Sequence, residues 1–314
     1  MANYIRISTI GAAAAGGNPG AGQEAVDRMI AHWQAKFARV LPDEPDVIVV
    51  PECCDRFPAH SMEERQAYYA FRGRQVADYF ASVARESSCY VAYPAVRLME
   101  DGSYRNSVEL FDRTGASMGF YNKNYPVITE NTEGGVLSGR EAPLFECDFG
   151  TVGCAICFDL NYDGIRRKYA ETQPDLLLFA SMYHGGLMQG YWAYTCRAHL
   201  ATAICGLRSG VISPVGEEIA MSTNYFDFLT TDVNLDCKVA HLDFNGEGLG
   251  AMKRKYGAGV RVHDPGYLGS VLISSEMDEV TSAELVAEFE IELLDDYFAR
   301  SIAHAEDPAN MESA

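Results

Sequence analysis

Short apolar runs alternate with longer amphipathic stretches along most of this chain, and that alternation constrains the fold more than any single motif. "YIRISTI" precedes a helical pattern near Gln23 to Val40, and "DVIVV" precedes one near Met62 to Glu86. "CYVAYPAVRL" (89–98) and "NSVELFD" (106–112) read as extended. "TVGCAIC" is followed by a helix near Asp163 to Thr172, and "DLLLFAS" (175–181) by one near Tyr191 to Cys205. Strands separated by helices of this size predict an α/β fold with buried sheets. After Gly210 shorter strands are expected, "KVAHLDF" and "YLGSVLISS" among them, then a charged helix over Ser282 to Phe298. No internal repeat and no Pro/Gly/Ser linker interrupts the 314 residues, so 1–314 reads as a single domain with a flexible tail from about residue 300.

The 48% apolar and 22% charged composition is that of a globular chain able to bury a core. A formal charge of −19 with no basic block excludes a nucleic-acid or anionic-membrane surface, leaving small molecules and other subunits as the expected partners. No apolar run approaches the ~18 residues of a membrane span. At the start, Ile5, Ile7 and Thr9 alternate with Arg6 and Ser8, the pattern of a first strand rather than of a leader peptide. Nine scattered cysteines suit reduced thiols, and a cytoplasmic location is expected.

Two features invite familiar assignments that fail on inspection. The glycine-rich "GAAAAGGNPGAGQEA" (11–25) fits neither a dinucleotide fingerprint nor a P-loop and reads as a plain loop. Cys154 and Cys157 have C-x-x-C spacing, but Cys154 lies inside the apolar run "VGCAIC", so both sulfurs cannot sit at a helix start as a redox pair does. Cys53 and Cys54 are adjacent on an extended stretch and point opposite ways, which argues against a shared zinc. No metal site is expected.

The strand ends carry the chemistry. Cys157 closes an apolar strand just before a helix, which presents a side chain to the crevice at the sheet's carboxyl edge. The Phe158 N–H that follows can point at a developing oxyanion. Glu52 ends "DVIVVPE", where an apolar crevice is expected to raise its pKa and suit it to general-base work. Lys123, in "GASMGFYNKNYPVITE", can hold an oxyanion and favour a nearby thiolate. Glu130 and Glu133 follow closely, so one carboxylate could orient the lysine or the substrate.

Together these residues resemble the nitrilase superfamily, the carbon–nitrogen hydrolases. Glu52 in "VIVVPE", Lys123 in "YNKNYPVITE" and Cys157 in "GCAICFDLNY" occur in the family's order, 71 and 34 residues apart. "GGVLSGREAPLFECDFGTVG", "PDLLLFAS", "YWAYTCRAHLATAICG" and "SPVGEEIA" lie in the expected places, so the resemblance covers roughly residues 4 to 245. It implies a four-layer αββα sandwich with two packed mixed sheets, assembly into homodimers or larger homo-oligomers, and no cofactor. Carried onto this sequence, it makes Cys157 the nucleophile, Glu52 the general base, Lys123 the oxyanion stabiliser and Glu130 the second glutamate.

The expected activity is hydrolysis of a non-peptide C–N bond in a small linear amide or N-carbamoyl compound through a cysteine thioester. A small nitrile is the alternative substrate, and a non-catalytic binding protein on the same fold the alternative of another class. Phe158 and Asp159 follow the cysteine where nitrilases resemble one another in tryptophan and glutamate, which favours the amidase and carbamoylase branches. Phe158, Tyr125, Tyr183 and His184 are the candidate substrate-binding residues. The sequence departs from the family at Tyr162, Asp163 and Gly164 and at Arg197 to Leu200, expected to be pocket wall and subunit contacts.

Overall fold

The computed structural model describes residues 1–17 and 19–312. The sequence, lacking a linker, reads as one domain; the contacts gather into two compact units, one of Ile5–Val233 and one of Met1–Tyr4 with Asn234–Ala314.

The larger unit begins as the alternating pattern requires. Strand β1 (Tyr4–Ile10) leads to α1 (Gly22–Phe37), and β2 (Val47–Val49) to α2 (Met62–Arg72) and α3 (Gln75–Ser87). The expected single helix over 62–86 is two helices, because Gly73 has φ +48° and breaks the run. Strands β3 (Tyr90–Leu98), β4 (Tyr104–Phe111) and β5 (Ser117–Asn122) follow, then the short helix α4 (Ile128–Thr132). The second half contains β6 (Phe145–Cys147), β7 (Gly150–Ile156), α5 (Asp163–Thr172), β8 (Leu176–Ser181), α6 (Leu187–Cys196) and β9 (His199–Ile204). It ends with β10 (Gly210–Ile212), β11 (Glu218–Met221) and β12 (Phe228–Asn234).

These strands form two six-stranded mixed sheets, ordered β12-β1-β2-β3-β4-β5 and β11-β10-β9-β8-β7-β6. Strand β2 lies against β8 and β9, and β4 against β7, so the sheets pack face to face. Helices α1 to α3 cover the first sheet and α5 and α6 lie on the second, giving the four layers. On the first sheet Trp33, Phe37 and Phe80 are fully buried, with ring centroids 5.0 to 5.9 Å apart. Each such aromatic pair adds about 1 kcal/mol beyond its burial.

Two stretches depart from the sequence reading. The helix expected over 191–205 ends at Cys196, where Arg197 turns left-handed at φ 55°; His199 to Ile204 then pair in parallel with β8, all six buried. A continuous apolar run buried on both sides carries no period that separates strand from helix. The stretch 223–236, which had no expected role, supplies edge strand β12. There Arg6 faces Asp232, Ser8 faces Thr230 and Gly11 bonds Asp227, so β12 runs antiparallel to β1.

The smaller unit has a three-stranded antiparallel sheet of β13 (Cys237–His241), β15 (Ser270–Ser275) and β14 (Val260–His263), in that spatial order. Helix α7 (Gly246–Tyr256) precedes β14 and buries Leu249 and Met252 in a core with Val260, Val271 and Ile273. The helix expected over 282–298 is two, α8 (Ser282–Glu288) and α9 (Leu294–Ala305), so helical structure continues past residue 300. Among the described residues no helix is long and apolar enough to cross a membrane.

The turn after β2 is tied to α2 by a buried ion pair. Arg72 Nε lies 2.6 Å from Asp55, with side-chain exposures of 4% and 0%, and the Tyr93 hydroxyl donates to the same carboxylate. Removing one member of such a pair strands the other charge. Arg72→Met is expected to lower stability by about 3 to 5 kcal/mol in urea denaturation, and the double variant with Asp55→Asn to recover at least half of that.

Candidate active site

Lys123 stands one residue beyond β5, and its backbone N–H donates to the Asn106 carbonyl of β4 at 2.8 Å. Its side chain turns inward and is 1% exposed. A buried ammonium must be paired, and here it has two carboxylates: Nζ is 2.7 Å from Glu52 Oε1 and 2.6 Å from Glu130 Oε2. Burial alone would push the lysine pKa down, but Glu52 and Glu130 outweigh it, and the pKa lies above the ordinary lysine value.

Glu52 leaves the sheet three residues past β2, and Glu130 comes from the first turn of α4. Asn106, inside β4, donates through Nδ2 to both, at 2.8 Å each. The second oxygen of Glu52 accepts the Met182 N–H at 3.1 Å, just past β8 of the other sheet. The sequence reading that burial would raise the pKa of Glu52 is corrected by these contacts. Burial does push it up, but the Lys123 charge and hydrogen bond, the Cys157 thiol and Asn106 together hold it below the ordinary carboxylate value.

Cys157 follows β7 with φ 52°, a left-handed conformation costly for a side chain with a Cβ. Its thiol faces the side chains of Glu52 and Ser181. Burial, and then the negative Glu52, push its pKa up to about 12, more than Lys123 pulls it down. The resting pair is therefore a thiol against a carboxylate. Lys123 does not favour a resting thiolate, as the sequence suggested, because burial and the negative charge of Glu52 outweigh its pull on the thiol.

Asp159 holds this turn. Its carboxylate is fully buried and accepts hydrogen bonds from the Tyr121 hydroxyl at 2.6 Å and from the backbone N–H groups of Ile156, Asn124 and Tyr125 at 3.0, 3.1 and 2.8 Å. One side chain thus clamps the Cys157 turn to the segment after Lys123. Burial raises its pKa to about 6 against the pull of these donors.

The other expected pocket residues divide. Tyr125 stacks on Tyr162, centroids 3.9 Å apart and planes 9° off parallel, and a Cβ on Gly164 would lie 2.6 Å from the Tyr125 hydroxyl. Three of the family departures thus lie on or beside this aromatic stack. Phe158 is partly exposed beside the cysteine, with its ring 5.3 Å from Tyr183. The Tyr183 hydroxyl bonds Asn161 and the Gly185 carbonyl, both at 3.3 Å. His184 lines a separate surface depression with Gln189, Leu207 and Arg208. Cys154 is a core residue of β7 whose backbone N–H and carbonyl both bond the Tyr169 hydroxyl. Asn106, Asp159, Ser181 and the Met182 N–H were not anticipated; Asp159 lies within the quoted "GCAICFDLNY", but nothing in sequence distinguishes it from a surface acid.

Asp159→Ala orphans three buried N–H groups and a hydroxyl and is expected to cost about 3 kcal/mol in urea denaturation at pH 7. The folded state holds this proton more tightly than the unfolded chain, so the carboxyl stabilises most at low pH. The margin of wild type over the variant should therefore shrink as pH rises from about 4 to about 6.

The family model described as Carbon-nitrogen hydrolase matches residues 11–205. An omega-amidase of Xenopus tropicalis is 21% identical over 210 residues, 59% of this chain and 71% of its own. An amidase from Nesterenkonia sp. superposes with TM-score 0.62 at 17% identity, over 73% of this chain and 90% of its own. Other crystals of that amidase contain butyramide, or carry acrylamide added to the active-site cysteine. A nitrilase-superfamily protein of Saccharomyces cerevisiae superposes with TM-score 0.61 at 13% identity, over 81% of this chain and 95% of its own.

Proposed function

Because this chain belongs to the carbon–nitrogen hydrolase family, we propose that it hydrolyses the C–N bond of a small linear amide or N-carbamoyl compound through a thioester on Cys157. The observation that carries the reading is a Glu52 carboxylate bonded to Lys123 and Asn106 and set beside the Cys157 thiol.

Glu52 takes the thiol proton as sulfur attacks the carbonyl carbon and the C=O electron pair moves to oxygen. Two of the three Lys123 protons are engaged by Glu52 and Glu130, which leaves the third for that oxyanion. When the oxyanion collapses the C–N bond breaks, and the departing nitrogen receives the proton held by Glu52. A water then gives a proton to Glu52 and its oxygen to the thioester, the C–S bond breaks, and the proton returns to sulfur. The raised thiol pKa suits this order, since the nucleophile forms only as Glu52 accepts the proton. Glu130 keeps the lysine in place, and Asn106 donates a hydrogen bond to each carboxylate.

An amide carbonyl is favoured over a nitrile because the proteins similar to this chain include an amidase and an omega-amidase. The fold-only alternative, binding without turnover, offers no use for a strained cysteine beside a base.

Ammonia release from amides and N-carbamoyl compounds is expected to fall at least about 10³-fold in Cys157→Ala, whereas Cys154→Ala changes stability and leaves turnover within a few-fold. Equal loss in both would contradict the nucleophile assignment. Asn106→Leu removes a donor to Glu52, and the Asn106 Oδ1 it also removes has no hydrogen-bond partner. Losing that donor raises the Glu52 pKa, so the acid limb of kcat/KM should move to higher pH; a profile superimposable on wild type would count against the base assignment.

A further inference from the structure

On the outer face of the first sheet, lined by none of the catalytic residues, a cavity opens where the break between α2 and α3 leaves free space beside Gly73. Its volume of about 330 Å³ is within the ~300 to 1,000 Å³ of small-molecule sites. Tyr69, Ala70, Ala77, Leu98 and Met99 give it apolar walls, and Arg72, Arg74 and Arg97 bring guanidinium groups to it. Nothing in the hydrolytic cycle uses it.

Two of these arginines are already paired. Arg72 is bound to Asp55, and the Arg74 fork takes both oxygens of the buried Glu109, at 3.0 and 3.2 Å. Arg97 has no carboxylate partner among the described residues. Its guanidinium lies 3.5 Å from the Phe120 ring centroid and donates to two uncharged acceptors, Ser107 Oγ and Asn122 Oδ1, both at 3.1 Å. Those two bond each other at 2.8 Å, so neither depends on the arginine. Directly across from Arg97 in the β3–β4 register stands Arg105, and like charges so opposed are destabilising. Other arginines, Arg56, Arg72, Arg74 and Arg113 among them, are held above their ordinary pKa. Burial pushes Arg97 below it; Glu109 opposes that push, and Arg105 and Arg74 add to it. Glu100, the remaining acid of the lining, is exposed. A partly buried cation short of negative charge, in a chain of net charge −19, is costly until an anion arrives.

We propose that this cavity is a second, non-catalytic binding site for a small organic anion, with Arg97 holding its carboxylate or phosphate and the apolar walls its body. Either group matches the guanidinium fork. The cavity also backs onto the catalytic residues. Successive strand residues face opposite ways, so Ser107 and Asn122, which hold Arg97, are chain neighbours of Asn106 and Lys123, which hold Glu52 on the inner face. Arg72, on the cavity wall, grips Asp55 three residues after Glu52. An anion that draws Arg97 away from Ser107 and Asn122 is therefore expected to change turnover. That coupling rests on the hydrolytic reading above; the site does not.

Calorimetric titration of the full wild-type chain with phenyl phosphate, benzoate and uncharged benzyl alcohol tests the site. At least one anion is expected to bind at least about tenfold tighter than the alcohol, and the tighter of the two assigns the anionic group. Arg97→Met should remove most of that difference and Arg97→Lys less of it. Ala70→Trp, which fills the cavity and keeps the arginine, should weaken binding of the anion by a similar factor. No preference for either anion in wild type, or a preference intact in Arg97→Met or in Ala70→Trp, overturns the proposal, and the wild-type comparison decides even where a variant misfolds. In parallel, the tighter anion should change kcat for butyramide hydrolysis at least about fivefold in wild type and not in Arg97→Met. Arginine-dependent binding with kcat unchanged would support the site and overturn its coupling to Lys123. Such binding with no amide hydrolysed at all would support the site and contradict the hydrolytic reading.

Discussion

The site depends on one buried cation. Lys123 is almost wholly removed from water, and a charge there is tolerable only with opposite charge and hydrogen bonds around it. Glu52 and Glu130 supply the charge, and Asn106 ties the two carboxylates together from β4. Through the Met182 N–H the same Glu52 reaches the second sheet. The contacts that make a buried lysine affordable therefore also place the base where the end of β7 delivers its thiol.

That arrangement sets the protonation states. A carboxylate beside a buried thiol would ordinarily compete with it for one proton, and burial would favour the neutral form of each. Lys123 breaks the tie in favour of an ionised Glu52, while Cys157, facing that negative charge, keeps its proton. The proton thus starts on sulfur with its acceptor in contact, which is the state a general-base step needs. Asp159 works one shell further out: with four donors on one carboxylate it sets the left-handed turn at Cys157 and the path of the chain after Lys123 together.

The sequence revealed the α/β rhythm, the first strand, helix α5 and the three strand-end residues, because each is marked by a local pattern: apolar runs, a turn after them, and a polar group at the end. It did not reveal Asn106, which sits in "YRNSVELF" as one polar residue among several on a strand. Only the register of β4 beside β5 turns it toward both glutamates. The sign of the Glu52 shift was misread for the same reason, since burial is legible from an apolar run but the compensating partners lie 54 and 71 residues away. Helix α6 was drawn too long because its end is an arginine in a left-handed conformation rather than a glycine, and the buried strand after it has no period of its own.

The central claim, that Cys157 becomes covalently acylated with Glu52 carrying the proton, is tested most directly by mass spectrometry of acid-quenched enzyme after mixing with a slowly hydrolysed amide such as butyramide. The account predicts a mass increase equal to one acyl group, located on the peptide that contains Cys157. Steady release of ammonia with no acyl mass at any time, or with the acyl group on another residue, would contradict it.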